Sequence, residues 1–172
     1  MLKAAGIFLI IFAGTGLGLC KSMELTRRER ALKEILRMVI LLKGEIRYGC
    51  ASLSDAFTGA AGKMAGDYRA FLIYTAKAMG AGTGKPFGEL FRECAEEYLG
   101  RLGLKQEERE QFFSLGEHLG YLDISMQVKQ LTLYEEELSE HIRALQEEIP
   151  GKKKVYQSLG ILGGILLAVL VW

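Results

Sequence analysis

The run Gly80-Ala81-Gly82-Thr83-Gly84-Lys85-Pro86 carries the residue types that cradle a nucleotide phosphate. A phosphate-binding loop needs glycine, four residues, glycine, lysine, then serine or threonine. Its amides wrap the phosphates, the lysine reaches the outer ones, and the hydroxyl holds magnesium. The register fails twice here. With Gly84-Lys85 as the glycine-lysine pair, the first glycine falls on Met79 and the hydroxyl on Pro86. Proline also removes a backbone donor where the phosphate needs one. The preceding YRAFLIYTAKA reads as helix, not as the strand such a loop requires. The stretch is therefore read as a connector. Gly80, Gly82 and Gly84 tolerate positive φ, and Pro86 suits the first turn of the next helix.

Other chemically capable residues are scattered. Cys20, Cys50 and Cys94 are odd in number and form no CxxC pair, so neither a zinc site nor a disulfide framework is indicated. Reduced thiols in a cytosolic domain are the simplest reading. His118 and His141 lie in polar-rich helical segments outside any HExxH pattern. Carboxylate runs such as YEEELSE match a solvated helix face. No catalytic, cofactor or metal constellation is expected, and the chain reads as a non-enzyme.

The formal net charge is +1 over 172 residues, which gives no global bias toward nucleic acid. Its distribution is uneven. Residues 21–85 hold 12 basic and 6 acidic side chains; residues 86–148 hold 6 and 15. A domain basic early and acidic late suits charged protein partners, and a solvated helix surface gives the same pattern.

The elements that would position these residues begin with the two ends. AAGIFLIIFAGTGLGLC (4–20) and VYQSLGILGGILLAVLVW (155–172) contain no charge. As helices they reach about 26–27 Å, slightly under a hydrocarbon core of ~30 Å. Bilayer thinning and snorkelling cover the difference. Both are read as transmembrane helices that contact the lipid bilayer. An N-terminal secretory signal starting at Lys3 is the alternative for the first. Leu19 does not suit lipoprotein cleavage before Cys20, whereas Gly14, Gly16 and Gly18 leave other cleavage positions open. The glycines of the two segments, Gly160, Gly163 and Gly164 among them, also offer small faces for close helix packing.

Basic residues flank the middle: Lys21, Arg27, Arg28 and Arg30 after the first segment, Lys152, Lys153 and Lys154 before the second. The positive-inside rule then puts residues 21–154 in the cytoplasm and both termini outside. The expected organisation is an N-terminal span at 1–21, a cytoplasmic helical bundle at 22–150, and a basic linker with a C-terminal span at 151–172.

The middle reads as helices throughout, giving an all-α fold. Leu32, Ile35, Leu36, Val39, Leu42 and Ile46 form one apolar stripe, and Gly49 closes that helix. Ser52 followed by Asp55 starts the next as a capping box. DYRAFLIYTAKAM follows, then the glycine connector. PFGELFRECAEEYLGRL is amphipathic through Phe87, Leu90, Phe91, Cys94, Tyr98 and Leu102, and QEEREQFFSLGEHLG ends at Gly120. Asp123 caps a long last helix whose apolar positions include Ile124, Val128, Leu131, Leu138, Ile142 and Leu145, with Pro150-Gly151 as its stop. Two long helices running antiparallel, with shorter ones packed against them, would make a bundle stabilised by burial of these stripes.

The ordered set of patches resembles the stage III sporulation protein AB family of endospore-forming bacteria. The patches are MLKAAGIFLIIFAGTGLG, LKGEIRYGCASLSDAF, LGYLDISMQVKQLTLYEEEL and KKKVYQSLGILGGILLAVL, and together they span nearly the whole chain. Two positions depart from the family pattern: Ser52 stands where proline is frequent, and Asp55 where glutamate is common. The resemblance implies a membrane component of the mother-cell-to-forespore channel, in the mother-cell membrane around the forespore. Its soluble domain is similar to the cytoplasmic domain of type II secretion platform proteins. It implies engagement of the cognate sporulation ATPase, the AA component, and of other stage III membrane proteins. The candidate contact positions it carries over are Glu45, Tyr48, Leu53, Phe57, Leu119, Gly120, Asp123 and Gln127. Leu53 and Phe57 also read as core, Gly120 as a helix terminator and Asp123 as an N-cap. Glu45 and Gln127 are the expected surface contacts. A generic membrane-anchored scaffold or receptor is the alternative, and a membrane nucleotide enzyme using Lys85 the third.

Overall fold

The structure, a computed structural model, describes the backbone of residues 2–49, 52–82, 84–121 and 123–171, and side chains outside 2–19, 157, 159–161 and 163–171. The described residues are helical, with no strand among them. The order is α1 (Leu2–Gly49), α2 (Leu53–Ala61), α3 (Gly66–Gly80), α4 (Phe87–Leu99), α5 (Gln106–Leu119) and α6 (Ile124–Val171). The chain divides into two compact units, residues 1–29 with 143–172, and residues 30–142. Among the described residues no helix is long and apolar enough to cross a membrane. The spans read at 1–21 and 151–172 fall mainly on side chains outside the described set.

In the first unit, Lys21 Nζ meets Glu24 at 2.7 Å, and Gln146 donates to Glu29 Oε1 at 2.8 Å. Arg28, read as part of the basic collar, is buried, whereas Arg27, Lys152 and Lys154 are exposed and Lys153 is half-buried. Lys152 pairs with Glu148 one turn back. Pro150 does not stop α6; it lies inside that helix. A helical proline frees the carbonyl four residues earlier, that of Gln146. Gln146 and Pro150 are both exposed, so water can take over the lost hydrogen bond.

The second unit is built around phenylalanine. Phe57, Phe71 and Phe91 are fully buried, and Phe112 nearly so. Phe71 and Phe91 meet edge to face at 5.2 Å between centroids and Phe57 and Phe91 at 6.3 Å, while Phe91 and Phe112 lie tilted at 4.9 Å. Such offset pairs use the ring quadrupole and add about 0.5–1.5 kcal/mol each beyond area burial. The α1 stripe closes one side: Leu32, Ile35, Val39, Leu42 and Ile46 are buried, with Leu36 half-buried. Leu131, Leu138 and Ile142 of α6 are buried as well, whereas Ile124 is exposed. The α4 stripe differs from the reading. The helix stops at Leu99, so Leu102 lies beyond it, and the buried line runs Gly88, Leu90, Phe91, Ala95 and Leu99. Cys94 and Tyr98 sit half-buried at its edge.

Successive helices alternate in direction. Ser54 Oγ of α2 donates to the Ala76 carbonyl late in α3, at 3.2 Å. Phe87 at the start of α4 packs on Phe57 and lies against Gly120 at the end of α5. His141 and Tyr134 of α6 meet Glu108 and Phe112 of α5, and Lys43 of α1 pairs with Glu135 of α6. This up-and-down order brings the ends of α1, α3 and α5 and the starts of α2, α4 and α6 to one end of the unit. The connections 62–65 and 100–105 lie at the other.

Candidate docking face

The end where α1, α3 and α5 finish and α2, α4 and α6 begin gathers most of the positions singled out from sequence. Local chemistry fixes each helix start there. Ser52 Oγ accepts the Asp55 amide at 3.3 Å and donates to Asp55 Oδ2 at 2.7 Å, so the cap forms. Asp55 therefore meets the Ser52 hydroxyl, where the longer glutamate of a capping box reaches back to the N-cap amide. Asp123 Oδ1 accepts from the Met126 amide and from Ser125 Oγ, both at 2.8 Å. These bonds, the Met126 amide foremost, hold the Asp123 carboxyl below the usual aspartate range. Pro86 is the N-cap of α4 itself, one position before the turn it was read into.

The two expected surface contacts, Glu45 and Gln127, also have partners within the chain. Glu45 Oε1 accepts Lys63 Nζ at 2.6 Å, and its side chain lies over Gly59. Gln127 Nε2 donates to the Leu119 carbonyl at 2.8 Å, which ties the start of α6 to the end of α5. That carbonyl belongs to the last turn of α5 and would otherwise lack a donor. Gly120 follows as C-cap with a right-handed conformation, φ −71°. Its role is close approach: a Cβ there would lie 2.8 Å from Phe87 Cβ. Leu119 and Phe57 are fully buried, and Leu53 is half-buried.

Aromatic and apolar side chains are exposed at this end among polar ones such as Ser52, Asp55, Lys85 and Asp123. Tyr48 and Tyr121 are each 78% exposed, and Ile124 and Met126 about half. Arg47 stands 5.4 Å from the Tyr48 ring centroid, within cation–π range. Exposed large apolar residues scattered singly need no explanation; several sharing one end of a bundle do. Of the carried-over positions, Tyr48 is displayed and Asp123 is exposed but committed to its cap. Tyr121 and Met126 were not singled out from sequence. The turn chemistry between Leu119 and Asp123 was the available signal, since a side chain in so short a connection has little to bury against.

The glycine connector lies at the same end. Gly82 and Gly84 have φ of 61° and 71°, and Lys85 Nζ is held by Glu93 Oε1 at 2.5 Å. A helix, α3, precedes it. No group of three His, Cys, Asp or Glu among the described residues could hold a metal ion. Histidine serves packing: His141 Nε2 lies 3.0 Å from Glu108, a buried carboxylate that also accepts the Lys105 amide at 2.8 Å. Cys94 is half-buried, and burial pushes its thiol above the usual cysteine range.

Comparison with known proteins places this architecture. No curated protein matches the sequence. A solved structure described as stage III sporulation protein AB (SpoIIIAB) superposes with a TM-score of 0.62 at 21% identity, covering 72% of this chain and 96% of that one. At that identity the likeness establishes the fold. The family profile described as Stage III sporulation protein AB matches residues 3–172. The chain belongs to the stage III sporulation protein AB family.

Proposed function

We propose that this chain is a non-enzymatic membrane component of the mother-cell/forespore sporulation channel. It acts as an assembly platform that couples a cytoplasmic secretion-type ATPase, the AA component, to other stage III membrane proteins. Family membership supports the sporulation context. The observation that carries the platform reading is the set of exposed aromatic and apolar side chains at one end of the second unit, Tyr48, Tyr121, Ile124 and Met126. Apolar groups of this kind supply the anchors of protein interfaces, and tyrosine is prominent among them. The uncharged ends at 4–20 and 155–172, with their basic flanks, support anchoring by two spans with the middle in the cytoplasm.

The test is co-purification of the full chain, tagged and extracted in detergent, with the ATPase from sporulating cells. The platform reading expects the pair to elute together and sporulation to fail on deletion of the gene. A generic membrane scaffold would retain membrane partners without the ATPase, and that result removes the coupling role.

A further inference from the structure

In the first unit α1 and α6 run antiparallel. Gln146 donates to Glu29, and Tyr156 stands within electrostatic reach of Lys21. Both helices pass without a break from charged sequence into the uncharged ends, α1 through Lys21 and α6 through Pro150 and on to Val171. Lys152, Lys153 and Lys154 therefore stand on a helix and not in a flexible linker. Their heights differ by only about 1.5 Å per residue, and they fan across roughly 200° of its circumference. Lys21 adds a fourth ammonium from α1 at the level of Tyr156.

This layer is basic with both signs counted. Residues 20–24 and 152–156 hold four lysines and one carboxylate, Glu24, which takes Lys21. The next carboxylate along α6, Glu148, takes Lys152. Lys153 and Lys154 have no ion-pair partner among the described residues, and Lys154 is exposed. Over the wider stretches 20–29 and 143–156 the count is seven basic to four acidic, with Glu29, Glu147 and Glu148 on the side away from the uncharged ends. Apolar side chains are exposed in the same layer: Met23 is 70% exposed, Val155 55% and Tyr156 36%.

We infer that this layer binds the phosphates of anionic phospholipids, with Lys153 and Lys154 as its principal contacts. Basic side chains beside a span attract anionic headgroups, and the attraction fades within a Debye length. The layer borders the uncharged ends, so its ammonium groups fall at headgroup depth, where lysine stems reach along apolar surface and tyrosine is favoured. The inference rests on the two-span reading and goes beyond it. Basic flanks orient a chain in any bilayer, whereas this layer selects the lipids around it.

The experiment reconstitutes the full chain in phosphatidylcholine bilayers at low salt, with traces of spin-labelled phosphatidylglycerol or spin-labelled phosphatidylcholine. Electron paramagnetic resonance reads the fraction of each label held at the protein. Phosphatidylglycerol is expected to be preferred about fivefold or more, the scale of one lysine near a charged surface. Lys153→Gln with Lys154→Gln lowers the preference at least about threefold, whereas Lys153→Arg with Lys154→Arg keeps it. Molar salt removes it from the unsubstituted chain. Equal retention of the two labels overturns the inference, as does a preference that survives the glutamine pair. Release of the label by millimolar inorganic phosphate at constant ionic strength assigns the layer to a free anion and also overturns it. Flotation with phosphatidylcholine vesicles after an alkaline wash tests the spans separately. A chain that stays with the vesicles but shows no lipid preference loses this inference and keeps the spans; a chain that washes off loses both.

Discussion

Glu45 and Gly59 share one space. A Cβ on Gly59 would lie 2.8 Å from Glu45 Cδ, and the carboxylate that fills the gap receives Lys63 Nζ at 2.6 Å. Glu45 thus joins α1 to the far side of α2, and a charge reversal there acts on the fold before it acts on any partner. Glu45→Lys is expected to lose about 0.5–1 kcal/mol of stability, the scale of a partly exposed pair. Lys63→Glu loses a similar amount, and the double exchange recovers most of it. Denaturant midpoints of the four proteins check this. An additive double variant would remove the pairing.

Gly116 faces Phe91 more severely. A Cβ there would fall well inside contact distance of the Phe91 ring, which is buried among Phe57, Phe71 and Phe112 and has no room to move. Gly116→Ala should cost at least about 2 kcal/mol through overpacking, against any gain in helix propensity. Gly80→Ala, where a Cβ meets nothing within 4 Å, is the control and should be neutral or stabilising. Thermal melts of the two variants separate packing from propensity.

Asp123 gives a pH signature. Its pKa is lowered in the folded chain by the Met126 amide and Ser125, so the folded state favours the charged form. The cap's contribution is therefore fully present above the unfolded aspartate pKa of about 3.9, and is lost as pH falls through the lower folded value. Asp123→Asn keeps an acceptor and should lose only this acid dependence. Asp123→Ala should lower stability at neutral pH as well. Melting temperature against pH for the three proteins is the measurement; parallel curves would refute the cap assignment.

Lys85 has a partner in Glu93, and the pair raises the pKa of its ammonium. Lys85→Ala should leave sporulation intact, and calorimetry with magnesium-ATP should give no heat of binding to either protein. Saturable binding lost in the variant would revive the nucleotide reading.

The legible parts of this fold were local. Ser52 and Asp123 announced their helices through cap chemistry, and the Leu32–Ile46 stripe announced its buried face through periodicity. What misled was non-local. Pro150 has a strong breaker signal, but Gln146 and Pro150 are both exposed, so water can serve the carbonyl that proline frees. The packing roles of Glu45 and Gln127 were hidden because their partners, Lys63 and the Leu119 carbonyl, are distant along the chain or are backbone atoms. Ile124 matched the helical stripe, yet it sits at the first turn, past the neighbours that would cover it. Tyr121 and Met126 carry no motif; their exposure depends on which loops the alternation of helices brings to one end.

The central claim is that this end, with Tyr48, Tyr121, Ile124 and Met126, docks the ATPase. The decisive measurement is the affinity of the purified ATPase for the full chain in nanodiscs, by surface plasmon resonance, in wild type and in Tyr121→Ala with Ile124→Ser. The account predicts a loss of tenfold or more, about 1.4 kcal/mol or above, with the melting temperature unchanged because both side chains are exposed. Unchanged affinity in a folded double variant would contradict it.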